Sequence, residues 1–349
     1  MNPTGRPRAD PGKILLIRLR RIGDVVMTTP AAALLKKRFP DASVTYLVEE
    51  PFRRLVEGLP AVDRVIAVPA RQSFSDFLGL VRRVRRERFD ALLDFHGGPR
   101  ASWITAASGA RLKVGYAIER KGFLYDVRIP RRGPDGPIHS VRNHVNLVRA
   151  MGVDIEDAEI PPLTLPAAAA EETARIERIV KEAAAPKLVV LHIGAGNRFR
   201  DWGAANAASL VRLLAGAPGV RIALIGADGD RTAEAEILRA APSAGLPLAG
   251  RLNLIEIREL IARAALYVGP DSGPMHIAAS TATPLVAYFG PTLPAVFAPW
   301  RPGGEPTVIL EKGLDCRPCR QRECVTADYR CLLTITPEEV YEACRRFLL

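Results

Sequence analysis

The sequence predicts two doubly wound α/β domains, and three observations carry that prediction. Short apolar runs alternate with amphipathic segments along almost all of the 349 residues. The alternation is interrupted once, by a proline-bearing stretch near residue 160, and then restarts. Several of the short runs end in turns of glycine, acid and hydroxyl residues, which is where open parallel sheets place their ligands. Composition agrees: 48% hydrophobic and 25% charged residues suit a folded protein and exclude disorder over the whole chain.

Taken in order, residues 14–19, 44–48, 65–68, 91–95 and 114–117 read as strands, short and rich in Val, Ile and Leu. Helical patterns fall between them, over 25–38 and 74–88. Residues 158–168 hold Pro161, Pro162 and Pro166 and read as a linker into an alanine-rich helix. Strands then recur at 188–193, 221–225, 266–268 and 285–289, with helices at 203–216, 230–240, 254–264 and 273–281. The chain closes on a helix over 337–349, with Thr336 as its N-cap and Glu338 and Glu339 in its first turn.

The candidate chemistry lies in the turns after the strands. After the first comes Arg18-Leu19-Arg20-Arg21-Ile22-Gly23-Asp24, without the G-x-G-x-x-G of a dinucleotide site. Asp24 opens a helix there, either as its N-cap or as a base. Arg18 and Arg21 are candidate contacts to an anionic acceptor. After the fourth strand, His96 and Arg100 flank two glycines and are further acceptor candidates, against a simple tight turn around a buried histidine.

In the second half, the turn from Gly194 to Trp202 carries Arg198 and Arg200, a combination of small residues and guanidinium groups that suits a diphosphate. Gly226-Ala227-Asp228-Gly229-Asp230 contains Asp-x-Asp, readable as a metal pair, a cap or, at Asp228, a ribose-binding carboxylate. Asp271-Ser272-Gly273-Pro274-Met275-His276 joins a strand to a helix, offering hydroxyl and backbone donors to an anion, an acid for a sugar hydroxyl, and an imidazole. Thr292 sits in a donor-bearing turn after the strand over 285–289.

Charge is uneven. Residues 1–165 carry 28 Lys/Arg and 18 Asp/Glu, net +10, and the remainder is net +1. The first half therefore suits an anionic partner: a substrate, a membrane surface or nucleic acid. Aromatic residues are only 6%, and no RNA-binding signature occurs, which argues against nucleic acid. No signal-peptide pattern and no run of ~20 apolar residues is present, so a cytoplasmic protein is expected.

Ile22-Gly23-Asp24 with Thr29-Pro30, then Asp271 to His276, then Phe289-Gly290-Pro291-Thr292, together resemble glycosyltransferase family 9, the lipopolysaccharide heptosyltransferases. The resemblance runs from Lys13 to the last helix. It implies a GT-B fold, two Rossmann-like domains facing a cleft: residues 1–160 binding acceptor, and 161–349 binding the nucleotide sugar and carrying the Cys-rich segment 316–331 and the terminal helix. It implies inverting heptose transfer from an ADP-sugar to the inner core of lipopolysaccharide, with no cofactor for catalysis. Asp24 matches the family's general base. The donor set would be Gly194, Arg198, Arg200, Asp228, Asp271, Ser272, Gly273, His276 and Thr292. Two departures touch the donor turn: Arg200-Asp201-Trp202 stands where members carry Lys before Arg-Trp, and Gly203 stands where proline is usual. A lipid-anchored acceptor would also draw the basic half to the inner membrane as a peripheral protein.

Cys316, Cys319, Cys324 and Cys331 are close enough in sequence to hold a structural zinc, or to stand as free thiols or a local disulfide. Cys344 reads as packing in the last helix. The competing functions are a GT-B transferase using another nucleotide sugar, and a non-catalytic protein binding an anionic surface or nucleic acid.

Overall fold

A computed structural model describes residues 10–118 and 122–348 and divides after Pro166 into two compact units. Leu349, the expected last residue of the terminal helix, lies outside the described residues.

The first unit is a six-stranded parallel sheet of β1 (Lys13–Ile17), β2 (Ser43–Glu49), β3 (Arg64–Val68), β4 (Ala91–Asp94), β5 (Leu112–Tyr116) and β6 (Val127–Ile129), in the order 3-2-1-4-5-6. Its helices are α1 (Ile22–Val26), α2 (Thr29–Arg38), α3 (Phe74–Arg86), α4 (Pro99–Ala107) and α5 (Ser140–Arg149); β7 (Arg132–Gly133) and β8 (Gly136–Pro137) form a small antiparallel ribbon. Ile14, Leu15, Leu16 and Ile17 of β1 have no exposed surface, as expected of a central strand covered on both faces. One face is closed by α3 and α4 through Leu80, Val84, Ala101 and Ile104.

The second unit repeats the plan. Its strands are β9 (Lys187–His192), β10 (Val220–Ile225), β11 (Gly245–Pro247), β12 (Leu266–Pro270), β13 (Leu285–Phe289) and β14 (Thr307–Glu311), all parallel, in the order 11-10-9-12-13-14. The helices are α6 (Ala170–Ala183), α7 (Ala204–Ala215), α8 (Arg231–Leu238), α9 (Leu254–Ala262), α10 (Gly273–Ala278), α11 (Pro294–Phe297), α12 (Arg330–Leu333) and α13 (Pro337–Leu348). In both sheets the strand order reverses beside the central strand: between β1 and β4, and between β9 and β12. Loops leaving the carboxyl ends of those strands diverge there and leave room for a ligand.

Two sequence expectations are corrected. The helix over 25–38 is two helices. Pro30 has no N–H to give Val26 O, and Thr29 Oγ1 donates to that carbonyl instead, at 2.9 Å. Thr28 Oγ1 similarly takes Val25 O at 2.7 Å, so the chain breaks between α1 and α2. The second correction is of omission: α4, α5, β6, β11 and β14 do not stand out in the sequence. β6 and β11 have three residues each, too few to show a period, and α4 is masked by its small residues and by the glycines before it.

The terminal helix has the cap that its sequence suggests. Thr336 Oγ1 accepts from Glu339 N at 3.2 Å, and Glu339 Oε2 accepts from Thr336 N at 2.8 Å. The helix packs Val340, Ala343, Cys344 and Leu348 into the second core. Thr336→Ala is therefore expected to lower stability by about 1 kcal/mol. Urea unfolding followed by circular dichroism checks it, and an unchanged midpoint would mean that packing alone holds the helix.

Candidate active site

At the switch point of the first sheet, Arg18 joins the turns after β1 and β4. Its Nη2 pairs with Asp24 Oδ2 at 2.5 Å, and its Nη1 donates to Phe95 O at 2.6 Å. Asp24 is not the N-cap of α1. That position is Arg21, and no side chain caps the helix. Arg21 takes φ 71°, the left-handed region that costs a residue with a Cβ free energy, and its side chain is exposed. Asp24 lies in the first turn, where the helix dipole favours its charge, with about a quarter of its side chain in solvent.

Below this pair, Asp94 Oδ1 accepts from the backbone N–H groups of His96 (2.8 Å) and Gly97 (2.9 Å), and Tyr125 Oη donates to Asp94 Oδ2 at 2.6 Å. Burial raises the Asp94 carboxyl above its usual range, and these donors oppose the shift. Burial, aided by the charges of Arg18 and Arg20, pushes His96 down to about 4, so its ring is neutral at pH 7. Arg131 stacks on Tyr116 and donates to His96 O at 3.2 Å.

Arg100 is placed differently from the acceptor contact that its sequence position suggests. Its guanidinium donates to Pro69 O, Ala70 O, Gln72 Oε1 and Glu49 Oε1, at 2.6 to 3.3 Å. It ties α4 to the loop before α3, and with those bonds made it serves the fold.

The second unit builds its cluster at the β9/β12 switch point. Asp271, 3% exposed, accepts from Thr292 Oγ1 and pairs with Arg200 Nη1 at 3.2 Å. Arg200 Nε donates to Gln321 Oε1 at 3.0 Å, and the same oxygen accepts from Asn197 Nδ2 at 2.7 Å. Among the described residues, Arg200 Nη2 makes no hydrogen bond. Ser272 Oγ bonds His192 Nδ1 at 3.0 Å, and burial holds His192 down to about 3, a neutral imidazole. His276 is buried on α10, and Arg198 is exposed over the Phe199 ring. Trp202 Nε1 donates to Ile335 O at 2.8 Å and anchors the end of the arginine turn.

Gly194 lies close against the Asp230 carboxylate, which would have to shift to admit a larger residue. A Cβ there would lie 2.1 Å from Asp230 Oδ2. Asp230 also accepts from Ala227 N at 2.7 Å, and Asp228 pairs with Arg231 at 2.9 Å, so this turn's two acids are each engaged locally. Gln321 and His192 escape sequence reading for different reasons. Gln321 reaches Arg200 from 121 residues away. His192, the last residue of β9, was detectable as a polar side chain ending an apolar strand.

Of the readings of the four clustered cysteines, the zinc site finds no support. Cys316, Cys319, Cys324 and Cys331 line one cavity of about 20 Å³ together with Phe199, Pro291, Val325 and Tyr329. The thiols are free, and no group of three or more His, Cys, Asp or Glu among the described residues is arranged to hold a metal ion. The space that they line is mostly apolar. Burial, then the neighbouring thiols, raise the Cys331 thiol, whereas a hydrogen bond with Thr326 lowers Cys324.

Residues 77–330 match the model of glycosyltransferase family 9 (heptosyltransferase). The chain belongs to that family. Lipopolysaccharide heptosyltransferase 2 of Escherichia coli K12 is 25% identical over 349 residues, covering 97% of this chain and 99% of the relative. The fold recurs in a family 9 glycosyltransferase from Veillonella parvula, at 20% identity and TM-score 0.82 over 98% of this chain and 99% of that one. It recurs also in E. coli heptosyltransferase WaaC with ADP-2-deoxy-2-fluoro heptose, at 19% identity and TM-score 0.70 over 96% and 99%. This family 9 member is thus a glycosyltransferase of GT-B fold, with two parallel six-stranded sheets. No helix among its described residues is long and apolar enough to cross a membrane.

Proposed function

We propose that this family 9 enzyme transfers heptose from ADP-heptose to the inner core of lipopolysaccharide with inversion at the anomeric carbon. The observation that carries the reading is the convergence of Arg200, Asp271, Ser272 and Thr292 at one switch point, opposite in role to Asp24 with Arg18 at the other. WaaC, of the same fold, is described with an ADP-heptose analogue, and this supports ADP-heptose as donor.

In this reading residues 161–349 bind donor and residues 1–160 bind acceptor. Arg198 and the free edge of Arg200 meet the diphosphate, and Ser272, Gly273, Thr292 and the Gly194 turn line its approach. Asp271, held by Arg200 and Thr292, is fixed to accept a sugar hydroxyl; Asp228 faces the ribose, and His276 supports the turn. Arg21 and the neutral His96 contact the anionic acceptor. Arg18 is a positioning residue: it pins the Asp24 carboxylate against the turn after β4. The acceptor hydroxyl attacks the anomeric carbon as the bond to the diphosphate breaks. Asp24 takes the hydroxyl proton, and ADP leaves with the electron pair of the broken bond. A lipid-anchored acceptor would bring the enzyme to the cytoplasmic face of a membrane.

Arginine charge neutralises the leaving diphosphate here, so turnover is expected to be unchanged, within about twofold, after dialysis against EDTA. Loss of turnover restored by Mg²⁺ or Mn²⁺ would assign a metal role to Asp228 and Asp230. Transfer itself is tested by incubating the enzyme with ADP-heptose, ADP-glucose or UDP-glucose and a lipopolysaccharide core acceptor. ADP release that requires both ADP-heptose and acceptor is the expected result.

A further inference from the structure

The outer face of the first unit carries side chains that neither the fold nor the proposed chemistry uses. The exposed large hydrophobic residues include three aromatic ones, Phe74 (77% exposed), Trp103 (57%) and Phe123 (71%), and all three belong to this unit. They sit on adjoining elements. Arg100, in the first turn of α4, donates to Gln72 Oε1 at 2.6 Å, just before Phe74 opens α3. Ser102, in the same turn of α4, bonds Tyr125 Oη at 2.9 Å, two residues after Phe123. Trp103 follows Ser102 on the solvent side. The buried sides of α3 and α4 share one sheet face, so their outward sides look the same way.

On that outward side α3 continues from Phe74 into Arg82, Arg83 and Arg86, all exposed, with Arg71 exposed just before the helix. Of the acids close by, Asp76 is spent on the capping box of α3, and Glu87 pairs with Arg64 at 2.9 Å. Aromatic rings beside arginines, on the half of the chain that is net +10, combine insertion at a bilayer interface with attraction to anionic headgroups.

We propose that the face formed by α3, α4 and residues 122–124 docks on an anionic lipid bilayer. The inference rests on the reading of a lipid-anchored acceptor. It adds the surface that meets the membrane: Phe74 and the first turn of α4 lie at the carboxyl edge of the sheet, the edge that also carries the turns with Asp24 and His96. An acceptor sugar rising from the headgroups would reach those turns without leaving the bilayer.

The test is co-sedimentation of the full chain with vesicles of phosphatidylglycerol and phosphatidylethanolamine, of phosphatidylcholine alone, and with nonspecific duplex DNA. Wild type is expected to partition on the anionic vesicles about tenfold more strongly than on phosphatidylcholine, and less so at high salt. The triple variant Phe74→Ser, Trp103→Ser, Phe123→Ser and the charge variant Arg82→Glu, Arg83→Glu, Arg86→Glu should each lose about tenfold of that partitioning. Both should keep the wild-type melting temperature and normal transfer to a delipidated, water-soluble core acceptor. Absence of wild-type binding to anionic vesicles, equal binding by wild type and both variants, or loss of DNA binding in place of vesicle binding would overturn the proposal. Failure of wild type to glycosylate the soluble acceptor would strike the reaction instead, and the vesicle result would still decide the surface.

Discussion

Asp24→Asn is expected to fold, to bind donor and to lose ~10²–10⁴ in turnover. The substitution keeps shape and hydrogen bonding but removes the group that can take a proton. Because Arg21 is the N-cap of α1 and Asp24 makes no cap bond, a capping defect cannot account for such a loss. What Asn would weaken structurally is the pairing with Arg18 at 2.5 Å. Arg18→Lys separates the two effects: it retains charge near Asp24 but loses the fork that also reaches Phe95 O. The account predicts a smaller loss in Arg18→Lys than in Asp24→Asn, measured as single-turnover rates at saturating donor. Near-normal turnover in Asp24→Asn would leave the base unidentified.

Arg200→Ala is expected to raise the dissociation constant of ADP about tenfold or more, the worth of a charged hydrogen bond of ~1.5–3 kcal/mol. Acceptor affinity should not change. Removing Arg200 also strips the buried Asp271 carboxylate of its ion pair, so part of the loss belongs to an uncompensated charge. Arg198→Ala provides the cleaner comparison, because Arg198 is exposed and lies over the Phe199 ring. Calorimetry with ADP reads both. Unchanged binding in both single variants would remove the diphosphate from this turn.

The sheets were legible because parallel strands buried on both faces are short runs of Val, Ile and Leu, as in the stretch from Ile14 to Ile17. Edge strands such as β6 and β11 were not, because three residues flanked by loops carry no period. The turns bearing Asp24, Arg200 and Asp271 were legible because a polar cluster directly after an apolar run can only lie at a strand's carboxyl end. Their partners were a different matter. That Arg18 would also reach Phe95 O, that Arg100 would be taken up by the loop before α3, and that Gln321 would reach Arg200 depend on which loops the sheet order brings together. Sequence spacing does not encode that order. The cysteines are a similar case: close spacing permits a metal site, but no group of three or more ligating side chains among the described residues is arranged to hold an ion, and that arrangement depends on the loop's fold, not on spacing.

The central claim, heptose transfer from ADP-heptose to a lipopolysaccharide core, is tested most directly by mass spectrometry of the acceptor after incubation with enzyme and ADP-heptose. Kdo2-lipid A and its heptosylated form should both be offered, since they differ in which hydroxyl is presented. The account predicts that one of them gains a single heptosyl residue, with stoichiometric ADP release, and that the gain disappears in Asp24→Asn. No mass gain on either acceptor with ADP-heptose, together with transfer from a different nucleotide sugar, would contradict it.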